Sequence, residues 1–153
     1  MPYEQELKTA IDAVTKASQL CQKVQHTLCD EETVAKKDRS PVTIADFGSQ
    51  ALIISELLKV FPNDSVVGEE EAGVLRSDAE IRAKVFGLVK EHAEEITESQ
   101  MLDAIDHGAK PTDFKKRYWT LDPIDGTKGF LRGDQYAIAL ALVEDSDLVL
   151  GVL

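Results

Sequence analysis

A long amphipathic repeat at the N-terminus limits the folds open to this chain of 153 residues. Between Tyr3 and about Leu28, apolar residues recur three or four positions apart, which is the spacing of a helix with one buried side. Such a helix is stable mainly when another layer covers its apolar side. The repeat therefore predicts a layered domain that begins with a long helix.

Further helical segments follow this repeat. We predict a second helix from about Thr43 to Val60 with Thr43 as its N-cap. The polar residues 30–40 before it, which lead into Pro41, are predicted to form a loop. Two more helices are predicted, from Asp78 to about Glu95 and from Glu98 to about His107.

Short apolar runs predict the strands. Residues 65–68, 118–121, 136–143 and 148–153 have the composition of β-strands. The turn residues between the last two runs predict a hairpin. We therefore expect an α+β fold in which long helices pack on a mixed or antiparallel sheet.

The composition limits the kinds of binding partner and indicates the cellular compartment in which the protein is expected. The formal net charge of −11 argues against nonspecific nucleic-acid binding, because that affinity comes mostly from Lys and Arg at phosphates. No apolar run approaches the roughly 20 residues that span a bilayer, and the acidic start differs from a signal peptide. We expect a cytoplasmic protein that binds neither nucleic acid nor membranes, with Cys21 and Cys29 as reduced thiols.

The chain ends on the apolar residues 150–153. Natural termini usually lie at the surface and are polar, and an end inside a strand would leave an uncovered sheet edge. From this pattern we expect a truncated sequence that could self-associate through its last strand. The alternative is a hairpin that simply closes the domain.

The strongest chemical signal is Asp-Pro-Ile-Asp-Gly-Thr at residues 122–127. Asp122 and Asp125 can converge just beyond a strand end, with the Ile124 carbonyl directed into the same space and the Thr127 hydroxyl available to a water molecule. Oxygen ligands of this kind suit Mg²⁺. Taken alone, the segment could equally be only a turn.

Two further acids extend this hypothesis. Glu69 follows the strand at residues 65–68, and adjacent parallel strands place their C-terminal ends side by side. Asp46, expected in the first turn of the second helix, is a fourth candidate. The alternatives are surface charge for Glu69 and a dipole-stabilised helix residue for Asp46.

Three motifs together resemble a known family. They are residues 40–46 (Ser-Pro-Val-Thr-Ile-Ala-Asp), residues 67–70 (Val-Gly-Glu-Glu), and residues 119–127, which contain the segment above. Their order and approximate spacing are those of the inositol monophosphatase superfamily of lithium-sensitive, magnesium-dependent phosphatases. The continuation at residues 128–137 resembles its 3′(2′),5′-bisphosphate nucleotidase branch, and the resemblance covers essentially the whole chain.

The resemblance implies roles for particular residues. Glu69, Asp122, the Ile124 carbonyl and Asp125 match the metal ligands of that family. Asp46 and Thr127 match the pair that orients and activates the attacking water. The implied reaction uses two or three Mg²⁺ ions to hydrolyse the 3′-phosphate of 3′-phosphoadenosine 5′-phosphate, a small-molecule nucleotide, to AMP and phosphate. Weaker candidates for contacts with the substrate phosphate are Gly126, Thr127 and Lys128.

The resemblance also sets an expectation for activity. In the family, another metal-binding aspartate and most nucleotide-base contacts lie in a C-terminal domain that would begin beyond Leu153. We therefore expect residues 1–153 to be an N-terminal metal-binding α+β domain with little or no phosphatase activity alone. The remaining alternatives are an inositol phosphate phosphatase and a non-catalytic truncated product.

Overall fold

The computed structural model of the chain describes residues 1–30 and 40–153. The helices are α1 Glu4–Asp30, α2 Ser40–Val60, α3 Gly73–Ser77, α4 Ala79–His92, α5 Glu98–His107 and α6 Thr127–Arg132. The strands are β1 Ser65–Val67, β2 Tyr118–Asp125, β3 Ala137–Glu144 and β4 Asp147–Val152. The predicted α+β fold is confirmed. Among the described helices, none combines the length and the apolar character that a membrane crossing requires.

Helix α1 packs its buried side mainly against α2. Gly48 of α2 permits this close contact, because a Cβ added there would lie 2.9 Å from Leu20 Cδ1 of α1. Cys21 is a buried free thiol on the same side, as predicted. Burial, followed by the nearby Asp46 carboxylate, raises the pKa of the Cys21 thiol to about 12, so the thiol is protonated at neutral pH. The side chain of Cys29 lies outside the described residues.

Helix α2 begins earlier than the sequence predicts. It starts at Ser40, so Thr43 lies inside the helix and is not its N-cap. Pro41 occupies the first turn, where its fixed φ suits a helix and its missing N–H is not needed. Asp46 consequently lies in the second turn and not the first. Of the loop predicted over residues 30–40, residues 31–39 lie outside the described part of the chain.

Helix α2 is the central helix of the described domain. Leu52, Ile53 and Ile54 are consecutive and all fully buried, because α2 packs against α1, α4 and α5 as well as against β2. Only a helix enclosed by several layers buries three neighbours in a row. Side chains at the N-terminal end of α2 therefore have a fixed relation to the sheet.

The four strands form one mixed sheet in the order β1-β2-β3-β4. Strands β1 and β2 are parallel, while β2–β3 and β3–β4 are antiparallel. The helices α3, α4 and α5 lie in the connection between the two parallel strands. Trp119 is paired with Leu142 and Leu121 with Leu140, and all four side chains are buried. The predicted hairpin of β3 and β4 is confirmed.

A polar network joins the far end of the sheet to α1. Trp119 Nε1 and Arg117 Nε both donate to Asp64 Oδ2 at 2.9 Å. Arg117 Nη1 also donates to Glu6 Oε1 at 2.8 Å. The two ion pairs of Arg117 are largely shielded from solvent, so this network fixes the starts of β1 and β2 relative to α1.

The connecting helices have local start signals. Asp78 caps α4 by accepting hydrogen bonds from the N–H groups of Glu80 and Ile81. Thr97 and Gln100 form a capping box at the start of α5. The five-residue helix α3 before them was not predicted from the sequence.

Candidate metal and active site

The parallel pairing of β1 and β2 brings two of the predicted acids to one edge of the sheet. Val67 pairs with Thr120, so Glu69 and Asp122 each follow by two residues along neighbouring strands that run in the same direction. This arrangement is the one expected for strand ends in an α/β sheet. The predicted proximity of these two segments is confirmed.

The Asp-Pro-Ile-Asp segment lies within β2. The strand does not end at Leu121 as expected but continues to Asp125, with a register shift between Asp122 and Asp125. In this irregular stretch the Ile124 N–H donates to Asp122 Oδ1 at 3.2 Å. The next residue, Gly126, has φ 92°, a left-handed conformation that glycine adopts without strain. The chain thereby turns directly from the strand into α6.

Asp46 of α2 faces this edge of the sheet. Burial, followed by the charges of Glu70, Glu69 and Asp122, raises the pKa of Asp46 to about 7. The helix and both strand segments therefore contribute acids to one neighbourhood. The effect of Glu69 and Asp122 on the pKa of Asp46 is consistent with the predicted grouping of these acids.

The other acids also act on one another. Burial and the charges of Asp122 and Asp125 raise the pKa of Glu69. Burial and Asp125 raise the pKa of Asp122, an effect that the Ile124 N–H partly opposes. Negative charge is in excess in this group of acids, and each carboxylate therefore disfavours the ionisation of its neighbours.

No described cation offsets this charge. In residues 1–30 and 40–153, no Lys or Arg forms an ion pair with an acidic cluster that we define as Asp46, Glu69, Glu70, Asp122 and Asp125. Across the same residues, no three His, Cys, Asp or Glu side chains are arranged to hold a metal ion as they stand. The acids share a neighbourhood but do not converge on one point.

Glu70 is the acid that sequence reasoning did not single out. It is half-buried and contributes to the raised pKa of Asp46, whereas the next residue, Glu71, is exposed. Burial and the charge of Glu69 raise the pKa of Glu70 itself. Its sequence signals are its position directly after Glu69 and its place in the Val-Gly-Glu-Glu motif at residues 67–70.

The remaining candidates lie around α6. Thr127 is the first residue of α6 and is exposed, as are Gly126 and Lys128. The Ile124 side chain is buried while its backbone belongs to the irregular end of β2. These placements put Thr127 two residues after Asp125 on an accessible surface.

Comparison with known proteins identifies the family to which the chain belongs. The sequence profile of the inositol monophosphatase family matches residues 3–153. The chain belongs to the inositol monophosphatase family. The family resemblance predicted from the three motifs is thereby confirmed.

Relatives within this family carry a narrower name. A protein of Emericella nidulans called 3′(2′),5′-bisphosphate nucleotidase is 48% identical over 165 residues, and the match covers 100% of this chain and 47% of the relative. One of Schizosaccharomyces pombe with the same name is 46% identical, with the same coverage of both chains. The chain spans about half the length of the curated relatives that it matches.

A solved structure supports the fold. The crystal structure of inositol monophosphatase II from Staphylococcus aureus matches with a TM-score of 0.53 and 20% sequence identity. The match covers 97% of this chain and 38% of that structure. At this identity the likeness concerns the arrangement of helices and sheet.

Proposed function

We propose that this chain supplies the metal-binding part of a magnesium-dependent 3′(2′),5′-bisphosphate nucleotidase. The reaction would hydrolyse the 3′-phosphate of 3′-phosphoadenosine 5′-phosphate to give AMP and phosphate. The observation that carries the proposal is the acidic cluster itself, in which α2 and the ends of β1 and β2 contribute mutually repelling carboxylates. The names of the relatives at 46–48% identity support this substrate class.

The chemistry of the cluster fits a hard divalent cation. All of the side-chain atoms in the cluster that could bind a metal ion are carboxylate oxygens, which Mg²⁺ prefers. The excess negative charge raises the pKa of several members, and a cation would remove that repulsion. Repulsion also favours side-chain rotamers that hold the carboxylates apart. Glu69 and Asp125, which are exposed, have room to turn toward an ion.

The proposed roles follow the positions of the side chains. Glu69, Asp122, Asp125 and the Ile124 carbonyl would hold the ions, which when bound lower the pKa of water and act as Lewis acids. Asp46 and Thr127 would orient the attacking water from α2 and from the start of α6. Gly126 and Lys128, exposed beside Thr127, would contact the substrate phosphate.

The experiment is phosphate release by a chimera. Fusing this chain at Leu153 to the C-terminal part of the Emericella nidulans relative provides a protein of the relatives' length. We expect Mg²⁺-dependent release of phosphate from 3′-phosphoadenosine 5′-phosphate. Asp122→Asn and Thr127→Ala in this chain should each lower kcat at least about a hundredfold. Lys115→Ala, at an exposed position in the loop before β2, is the control and should retain activity.

Two results would contradict the proposal. Full activity of Asp122→Asn and Thr127→Ala would show that these residues do not contribute to catalysis. Faster turnover of inositol 1-phosphate than of the nucleotide would favour an inositol phosphatase.

A further inference from the structure

Gln50 is a completely buried polar side chain on α2, one helical turn after Asp46. Its Oε1 accepts hydrogen bonds from the backbone N–H groups of Glu69 at 3.1 Å and Glu70 at 3.0 Å. Its Nε2 donates to the carbonyl oxygens of Glu70 at 2.8 Å and Ile105 at 3.0 Å. A carboxamide has two donor hydrogens and two acceptor lone pairs, so every one of its hydrogen-bonding sites is used.

The orientation of this amide is fixed by its partners. Exchanging oxygen and nitrogen would place the NH₂ group against two N–H donors and the oxygen against two carbonyl oxygens. Leaving these buried groups unpaired is unfavourable. Gln50 therefore holds the backbone of Glu69 and Glu70 on one side and the end of α5 on the other.

Two glycines leave room for the amide. A Cβ added to Gly68 would lie 2.6 Å from Gln50 Oε1, and one added to Gly108 would lie 2.8 Å from Gln50 Nε2. The two glycines are joined directly, because Gly68 N donates to the Gly108 carbonyl at 2.8 Å. Any side chain at either position would push the amide out of its place.

The position of Gln50 connects it to the acidic cluster. Asp46 lies on the same helix, and Glu69 and Glu70 follow β1, so the cluster draws its acids from elements remote in sequence. The hydrogen bonds of Gln50 join two of these elements without using any carboxylate. The side chains of Glu69 and Glu70 remain free to meet an ion while their backbone is held.

We infer that Gln50 is a positioning residue for the acidic cluster, which fixes the backbone of Glu69 and Glu70 against the helix that carries Asp46. The inference rests on the proposed function, since it assumes that the cluster binds a divalent cation. Residues around bound metal ions commonly orient the ligands in this way, and their loss typically weakens metal affinity about tenfold to a hundredfold.

The test compares Gln50→Met with a matched control in the 153-residue chain. Methionine has a similar length but cannot replace the four hydrogen bonds. Leu57→Ala is the control, because Leu57 is also fully buried on α2 but lies about two helical turns beyond Gln50 and has an apolar side chain that forms no hydrogen bond. Terbium luminescence, with Mg²⁺ as the competitor, gives the dissociation constant for the cation. Amide hydrogen exchange in EDTA gives the local protection of Glu69 and Glu70 without any metal.

For Gln50→Met we expect at least about tenfold weaker terbium binding, with faster exchange at Glu69 and Glu70 than in the control. Leu57→Ala should lose global stability yet keep its affinity within about twofold. Gly68→Ala, which displaces the amide without altering Gln50, should reproduce the loss of affinity. This variant also decides the question if Gln50→Met does not fold.

The outcomes separate the inference from the proposed function. If the wild-type chain binds terbium and both test variants bind it as tightly as Leu57→Ala, the positioning role is wrong while the metal site stands. If the wild-type chain binds neither terbium nor Mg²⁺, the proposed metal site fails and the inference fails with it. Unchanged exchange at Glu69 and Glu70 in a folded Gln50→Met variant would also overturn the positioning role.

Discussion

Replacing Asp46 by Asn should stabilise the metal-free protein by an amount that grows as the pH rises. The pKa of Asp46 is raised from the ordinary value of 3.8 to about 7 by burial and then by Glu70, Glu69 and Asp122. Between these two values the folded state holds a proton that the unfolded state has released. Stability therefore falls as the pH rises through this window, and an uncharged Asn removes that loss.

The magnitude follows from the size of the pKa change. A rise of about three units corresponds to about 4 kcal/mol at 1.36 kcal/mol per unit. Because the Asp46 side chain is only partly buried, solvent screening reduces this figure to about 2 kcal/mol. We therefore expect almost no difference between Asp46→Asn and wild type near pH 4, and about 2 kcal/mol of extra stability for the variant near pH 8.

Urea unfolding in EDTA measures this difference. Trp119, the only tryptophan of the sequence, is buried and reports unfolding by fluorescence. Asp12→Asn, at an exposed position on α1, is the matched control and should change stability by less than about 0.5 kcal/mol at every pH. A difference between Asp46→Asn and wild type that stays constant from pH 4.5 to 8 would refute the reasoning.

Three further results are expected. Millimolar Mg²⁺ should raise the Tm of wild type more than that of Asp122→Asn in a thermal-shift assay, because binding to the folded state alone stabilises it; equal shifts would count against a cation at Asp122. Gly126→Ala should lower the free energy of unfolding by about 1 kcal/mol in urea titrations, since φ is 92° there, and an unchanged midpoint would contradict this. Asp64→Ala should destabilise by about 2 kcal/mol in the same titrations, because it leaves Arg117 and Trp119 Nε1 without their shared acceptor; a loss below about 0.5 kcal/mol would show that the network contributes little.

Local signals were sufficient to predict several elements. The bounds of α5, Glu98–His107, agree with the sequence prediction because the helix has its own capping box at Thr97 and Gln100. The predicted start of α2, at about Thr43, is wrong because the prediction assigns Pro41 to the loop before the helix. Proline is favoured in the first turn of a helix, and α2 begins at Ser40. A proline alone does not distinguish these two positions.

The proximity of the segments that carry Glu69 and Asp122 was predictable because it depends on strand direction. Glu69 and Asp122 follow strand residues at equivalent places, so the parallel pairing of β1 and β2 brings their segments together. Gln50 could not be found in this way, because its partners are backbone groups that tertiary folding brings to it. Glu70 is half-buried and Glu71 is exposed, a difference in burial that the run of three glutamates does not reveal.

Under the proposed function, the parallel pairing of β1 with β2 would also make cation affinity a measure of folding order. The meander of β2, β3 and β4 involves only neighbours in sequence and already contains Asp122 and Asp125. Glu69 joins them only when β1 has docked across the intervening helices, which requires closing a much longer loop. An intermediate with a formed meander and an undocked β1 would keep two of the carboxylates and bind ions weakly, so a rise in affinity during refolding would time the docking of β1.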